Sequence, residues 1–150
     1  MKKISHPNIL KCVELYYVRD KLSYYLITPF CSNGSLRSNI QQIFKKDTTF
    51  KMNLCLEIAD GIQALHDKNI MHRDISPGNI LFDENWTSYL CDFGFSKTDT
   101  DSEQSISVGT QAFRDPNIAT GKYSRKCDIY SFGLIADYIF RGDGIFFTKS

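Results

Sequence analysis

The chain has 150 residues, of which 42% are hydrophobic and 23% are charged, and its formal net charge at pH 7 is +1. This composition is typical of one globular domain with a hydrophobic core, and it does not indicate a nucleic acid or a membrane surface as the main partner. The longest apolar run, 129–140, is interrupted by Asp137 and is too short to cross a bilayer. The residues that follow Met1 also lack the apolar core of a signal peptide.

The cysteine content argues against a stabilising framework of disulfides or zinc. There are five cysteines, an odd number, and no two of them form a C-x-x-C pair. Reduced thiols are typical of proteins in the cytoplasm or the nucleus, so we expect the chain in one of those compartments.

Two strands and a helix are predicted in the first part of the chain. Segments 10–18 and 22–28 are rich in Val, Tyr and Leu and are separated by a polar turn, a pattern typical of a β-hairpin. Ser35 follows a turn sequence and is a suitable N-cap, so a helix is expected from this point to about residue 46.

Two further helices are predicted from apolar periodicity. Apolar side chains recur at helical spacing over about 50–68, and 124–140 has the broad apolar set of a buried helix. The apolar stripe of the first of these helices is interpreted as core, not as a cofactor site. His66, near its end, is interpreted as a solvated or capped histidine.

The stretch that is richest in candidate catalytic and metal-binding residues lies between these two helices. Residues 72–79 read His-Arg-Asp-Ile-Ser-Pro-Gly-Asn, and residues 91–94 read Cys-Asp-Phe-Gly. The pattern over 80–91 predicts a short hairpin, which returns the chain and places Asp92 beside Asn79. Two oxygen ligands on neighbouring loops suit Mg²⁺ that is held together with the phosphates of a nucleotide.

These motifs resemble the signature of the eukaryotic-type protein kinases, in which H-R-D-x-x-x-x-N is followed by D-F-G and then by A-P-E. The resemblance runs from about His6 to Phe140 and leans toward the serine/threonine type. In the A-P-E segment, Asp115 and Asn117 replace the alanine and the glutamate. The matching positions are His72, Arg73, Asp74, Asn79, Asp92, Phe93 and Gly94.

The resemblance implies an α+β, kinase-like fold. Residues 1–31 would form the end of a small β lobe and the hinge, and 32–150 would form a mainly helical large lobe as far as its central helix. Both lobes would be incomplete. Asp128 resembles the family aspartate that anchors the backbone of the catalytic loop.

The polar segment 95–117 would be the activation loop of such a protein. Ser105 and Ser107 are candidate phosphorylation sites within it, and a phosphate there would pair with Arg73.

The resemblance also assigns roles to residues of the site. Asp74 and Asn79 would be the catalytic residues, with Asp74 orienting the hydroxyl of a protein substrate, and Asn79 and Asp92 would hold Mg²⁺. His72 and Phe93 would pack and would not react. ATP would contact Thr28, Pro29, Cys31, Ser35, Leu81 and Cys91.

Several parts of the family signature are missing from these residues. There is no G-x-G-x-x-G loop and no V-A-I-K-type strand lysine. Ser76 stands where many serine/threonine kinases have a lysine that contacts the transferred phosphate. Because positioning and exclusion of water supply most of the rate, we expect weak catalysis or none from this chain alone.

Three hypotheses are therefore open. The first is a protein kinase segment that transfers the γ-phosphate of ATP to Ser or Thr of a protein, with Tyr as the less favoured acceptor. The second is a weak or inactive kinase-like protein that binds a partner kinase or its substrate and regulates it. The third is a degenerate relict with exposed apolar surface and no stable function.

Overall fold

The computed structural model describes residues 4–98, 111–120 and 124–142. Regular structure begins with a β-hairpin, in which strand β1 (Glu14–Val18) pairs antiparallel with strand β2 (Ser23–Ile27) across a 3₁₀ turn. The predicted hairpin is confirmed, but β1 is shorter than expected. Of its expected first residues, Leu10 bonds outside the hairpin, because its N–H donates to Leu90 O at 2.8 Å, whereas the Val13 N–H still donates to Ile27 O of β2 at 2.8 Å.

The first helix, α1 (Leu36–Phe44), follows the two-residue strand β3 (Gly34–Ser35). Ser35 is its N-cap, as predicted. The Ser35 Oγ accepts the Ser38 N–H at 3.2 Å, and the Ser38 Oγ accepts the Ser35 N–H at 3.1 Å. This reciprocal capping box satisfies donors that an uncapped helix start would leave without partners.

The long second helix, α2, spans Thr48–His66 and starts two residues before its predicted position. The difference is explained by Asp47, whose Oδ1 accepts the Phe50 N–H at 2.8 Å and caps the helix. The apolar stripe of α2 is core, as predicted, and its buried members are Leu54, Ile58, Ile62 and Leu65.

Four short strands frame the motif-bearing loops. They are β4 (Ile70–Met71), β5 (Ile80–Phe82), β6 (Ser88–Leu90) and β7 (Lys97–Thr98). Strands β3, β5 and β6 form one sheet in that order, and β4 pairs with β7. The predicted hairpin over 80–91 is therefore confirmed, and the pairs β3–β5 and β4–β7 are additional to the prediction.

The third helix, α3 (Lys126–Arg141), packs against α1 and α2 and completes the core. Its buried apolar side chains include Ile135 and Ile139, which join the cluster formed by the first two helices. The expected architecture, a small β part with a mainly helical part, is confirmed. None of the helices in the described ranges has both the length and the apolar character needed to span a bilayer.

The hairpin stands apart from this core. Leu22 is 80% exposed and Tyr24 is 70% exposed. A cavity of about 830 Å³ lies between the hairpin and the rest of the chain, and its walls include Ile9, Leu26 and Phe93. The β part is thus loosely attached by comparison with the helical part.

Candidate active site

The loop between β4 and β5 is held in place by a carboxylate from α3. Asp128 is 1% exposed, and its Oδ2 and Oδ1 accept the backbone N–H groups of His72 at 2.9 Å and of Arg73 at 2.8 Å. Arg73 has a φ of 67°, a conformation that side-chain-bearing residues rarely adopt. The two charge-assisted hydrogen bonds hold this backbone, as the resemblance implied for Asp128.

His66 is a further partner of the same carboxylate. Its Nε2 lies 2.8 Å from Asp128 Oδ2, and the residue is only 8% exposed. Of the two alternatives for His66, a solvated or a capped histidine, the solvated one was therefore wrong, because the ring is buried and bonded to a carboxylate. The backbone oxygen of His66 also accepts a hydrogen bond from Arg125 Nη1 at 2.9 Å, so the end of α2 is joined to the start of α3.

Asp74 and Asn79 form a bonded pair inside the anchored loop. Asn79 Nδ2 donates to the backbone oxygen of Asp74 at 2.9 Å and to its Oδ2 at 2.8 Å. Asp74 is 8% exposed, so its carboxylate is fixed in a largely buried position. Both hydrogen bonds use the amide nitrogen of Asn79, and neither occupies its amide oxygen, the atom that would ligate a cation.

The Asp-Phe-Gly segment joins this loop through the backbone. The Cys91 N–H donates to Asn79 O at 3.0 Å, so Asp92 follows directly after a residue that is bonded to Asn79. The hairpin therefore returns the chain to the loop, as predicted. Asp92 is exposed, and its Oδ1 accepts the Gly94 N–H at 3.2 Å. A Cβ at Gly94 would lie 3.1 Å from this oxygen, so glycine leaves room for the carboxylate.

The donor chemistry of these residues fits a magnesium–nucleotide site. Within the described ranges, no three His, Cys, Asp or Glu side chains cluster in a way that would hold a metal without other ligands. Asn79 and Asp92 offer an amide oxygen and a carboxylate on adjoining loops. Mg²⁺ commonly takes one or two protein oxygens and completes its shell with phosphate and water, so such a pair is sufficient.

His72 packs beside this site as a buried ring. It is fully buried, its ring centroid lies 5.1 Å from that of Phe93, and its Nε2 lies 3.0 Å from Cys91 O. Burial lowers the pKa of His72, and this effect outweighs the nearby carboxylates, of which Asp128 has the largest influence. These contacts agree with the packing role that was expected for His72 and Phe93.

Of the six residues that the resemblance assigns to the nucleotide, four lie at or near one sheet and two lie outside it. Ser35 pairs with Leu81 in the sheet of β3, β5 and β6, and Cys91 directly follows β6. Cys31 is also close to this sheet, because its backbone oxygen accepts the Gly34 N–H of β3 at 3.1 Å. Burial, with smaller contributions from Asp92 and Cys31, raises the pKa of Cys91 to about 12. Thr28 and Pro29 lie in the segment that leaves β2, outside this sheet.

The replaced A-P-E segment has an internal bonding arrangement that the sequence pattern did not reveal. Asp115 is 7% exposed, and its Oδ1 accepts both the backbone N–H of Asn117 at 2.8 Å and its side-chain Nδ2 at 2.9 Å. The two replacing residues therefore bond to each other. The candidate phosphorylation sites Ser105 and Ser107 lie outside the described residues.

Comparison with known proteins agrees with this arrangement. The model of the protein kinase domain matches residues 1–150, and the chain belongs to this family. It is 36% identical to calcium-dependent protein kinase 5 of Plasmodium falciparum, over 90% of this chain and 24% of that protein. It is 35% identical to a protein of Dictyostelium discoideum named as a probable serine/threonine-protein kinase, over 87% of this chain and 32% of that protein.

A third relative is calcium-dependent protein kinase 3 of Plasmodium yoelii yoelii, which is 34% identical over 100% of this chain and 28% of that protein. The chain thus spans between about a quarter and a third of the length of these curated relatives.

Proposed function

We propose that the chain supplies the phosphoryl-transfer part of a serine/threonine-directed protein kinase site. ATP with Mg²⁺ would be the phosphate donor, and a hydroxyl side chain of a protein would be the acceptor. The observation that carries this proposal is the bonded pair of Asp74 and Asn79, set in an anchored loop that adjoins the segment of Asp92. The serine/threonine preference is supported by the name of the Dictyostelium relative, a probable serine/threonine-protein kinase.

Asp74 would act on the acceptor hydroxyl. Its carboxylate is oriented by the 2.8 Å hydrogen bond from Asn79 Nδ2 and is carried on a backbone that Asp128 holds. An oriented carboxylate suits phosphoryl transfer, because a loose transition state needs a positioned nucleophile more than it needs a strong base.

Asn79 and Asp92 would hold the metal ion. When bound, Mg²⁺ neutralises charge on the phosphates of the nucleotide. Asn79 would offer its amide oxygen, and Asp92 would offer a carboxylate that the turn at Gly94 accommodates. The base and sugar of ATP would lie against Thr28, Pro29, Cys31, Ser35, Leu81 and Cys91.

The rate is expected to be low because the loop lacks a cation for the transferred phosphate. Ser76 occupies the position where the resemblance implies a lysine, and it is 1% exposed. The loss of one preorganised electrostatic donor of this kind typically costs about 3 kcal/mol, or roughly a hundredfold in rate.

A second candidate function is a kinase-like protein that binds a partner kinase or its substrate without catalysis. It is favoured by the exposed apolar side chains of the hairpin, since extended apolar patches often mark protein contacts. This candidate predicts partner binding without phosphate transfer. For either function, location in the cytoplasm or the nucleus stays a prediction.

The test uses thermal unfolding with millimolar Mg-ATP, followed by transfer of labelled phosphate to peptides that contain Ser, Thr or Tyr. We expect a stabilising shift that Asp92→Asn abolishes and that Asp60→Asn, an exposed control on α2, retains. Transfer should favour Ser and Thr and should disappear in Asp74→Asn. Absence of any shift with the unaltered chain would contradict an ATP site, and transfer to Tyr alone would contradict the proposed acceptor.

A further inference from the structure

An arginine from α1 lies directly against the catalytic loop. The Arg37 N–H donates to Pro77 O at 2.9 Å, which fixes the start of α1 to the loop. The guanidinium then lies over Gly78, because a Cβ built at that glycine would be 3.8 Å from Arg37 Nε and 3.9 Å from its Nη2. Gly78 immediately precedes Asn79, the partner of Asp74. A positive charge therefore lies at the edge of the loop that would receive the acceptor hydroxyl.

This charge has no partner within the described ranges. Arg37 is exposed, and its guanidinium forms no ion pair or hydrogen bond with any described residue. Nothing in the underlying segment can neutralise it, because Ser76, Pro77 and Gly78 are all uncharged.

The helix dipole of α1 adds to the positive electrostatic potential around Arg37. Arg37 is the second residue of α1, and the first turn of this helix contains no acidic residue. A cation at a helix N-terminus is disfavoured by the helix dipole. The same dipole and the guanidinium act together on an approaching anion, so an unfavourable feature of the free helix becomes favourable when an anion binds.

We propose that Arg37 is a specificity-determining residue that selects protein substrates with an acidic side chain close to the acceptor hydroxyl. The inference rests on the proposed function and names its substrate class. Gly78 has no side chain that could bond to the guanidinium, so a carboxylate of the substrate would meet its planar fork without displacing a partner from the loop. A phosphorylated residue would satisfy the same chemistry.

The test measures binding, so that it does not depend on catalysis. Two fluorescent peptides, each with one central serine, carry either Asp and Glu or only Lys on both sides of the serine, and fluorescence anisotropy of each is followed with the full chain. We expect the acidic peptide to bind about fivefold more tightly or better, with the difference declining at high salt, because the pair is exposed.

Arg37→Glu should remove or reverse this preference. Arg19→Glu, which makes the same charge change in the turn of the hairpin, should retain it. Gly78→Glu provides a second test, because it would place an internal carboxylate against Arg37. It should weaken the binding of the acidic peptide, whereas Gly78→Gln should not.

Two results would overturn the inference. One is equal binding, or no binding, of the acidic and basic peptides by the unaltered chain. The other is a fall in Mg-ATP affinity in Arg37→Glu with unchanged peptide preference, which would assign the guanidinium to the nucleotide phosphates. Failure of the proposed function is a separate result, since it is measured by the Mg-ATP shift and the dependence on Asp74, and the peptide preference does not enter it.

Discussion

The loop 72–79 and the hairpin of β1 and β2 would both border the nucleotide, but they are held in opposite ways. The loop is buried, and a carboxylate from α3 accepts two of its backbone N–H groups. The hairpin exposes Tyr24 and Leu22, and a two-stranded ribbon of this kind is marginally stable without further cover. The comparison teaches that the helical part preorganises the proposed transfer site, whereas the hairpin would give a bound nucleotide little cover.

The largest change in the free energy of unfolding is expected from Asp128→Ala, which removes the anchor of the loop. The change leaves two buried N–H groups and the ring of His66 without their acceptor, and each buried donor left unsatisfied typically costs about 1–3 kcal/mol. Urea unfolding gives the free energy. Asp137→Ala on the same helix is the control, because its ion pair with Arg141 is partly exposed and should contribute less than about 1 kcal/mol. Equal losses in the two variants would mean that the loop is not anchored as described.

A smaller effect is expected from Gly61→Ala in α2. An added Cβ would lie 2.9 Å from Asn8 O and 3.0 Å from Leu90 Cδ1, so the helix would have to move away from β6. Overpacking of this kind typically costs about 1–3 kcal/mol. Gly133→Ala in α3 is the matched control, because no atom lies within 4 Å of its Cβ position, and it should stabilise by up to about 1 kcal/mol. Similar destabilisation by both changes would show that close packing near the loop is not the cause.

The buried ring of His72 predicts a dependence of stability on pH. Burial lowers its pKa in the folded state, so the unfolded chain binds the proton more readily. The free energy of unfolding therefore decreases as the pH falls below the ordinary histidine pKa of about 6.5, with a slope of at most about 1.4 kcal/mol per pH unit. Urea midpoints at pH 7.5 and 5.5 measure this loss. His72→Phe keeps a ring against Phe93 and should show a smaller loss; an unchanged loss would assign the effect to other groups.

The smallest effect is expected in the hairpin. Leu22 is 80% exposed, so Leu22→Ser should change the free energy of unfolding by less than about 0.5 kcal/mol. Leu54→Ala in the core of the helical part should cost about 2–5 kcal/mol by the same measurement, since Leu54 is 3% exposed. A loss at Leu22 that approached the loss at Leu54 would remove the distinction between the two regions.

Local features of the fold could be predicted from the sequence because they depend on near neighbours. The apolar stripe of α2 and the cap at Ser35 repeat or act within a few residues. The cap at Asp47 is equally local, and the signal that could have found it is an aspartate just before the apolar stripe begins.

The residues of the candidate site could be proposed from the sequence, but the residues that hold them in place could not. The motif supplied Asp74, Asn79 and Asp92, whereas the bond between His66 and Asp128 joins residues 62 positions apart. Periodicity carries no information about such a pair, and a histidine at the end of a helix has the same local pattern whether it is solvated or buried. The position of Arg37 over Gly78 likewise depends on how α1 packs, and a lone exposed arginine gives no signal of it in the sequence.

The separation between the loop and its anchor also has a consequence for the order of folding. Asp128 follows Arg73 by 55 positions, so the ribosome makes the whole motif well before it makes the residue that shapes it. A nascent chain that is stalled before α3 would carry every reactive group without the conformation that aligns them. We expect proteases to cut such a chain within 72–79 and to spare that stretch once α3 has emerged. The synthesis of α3 would therefore determine when the site takes its final conformation.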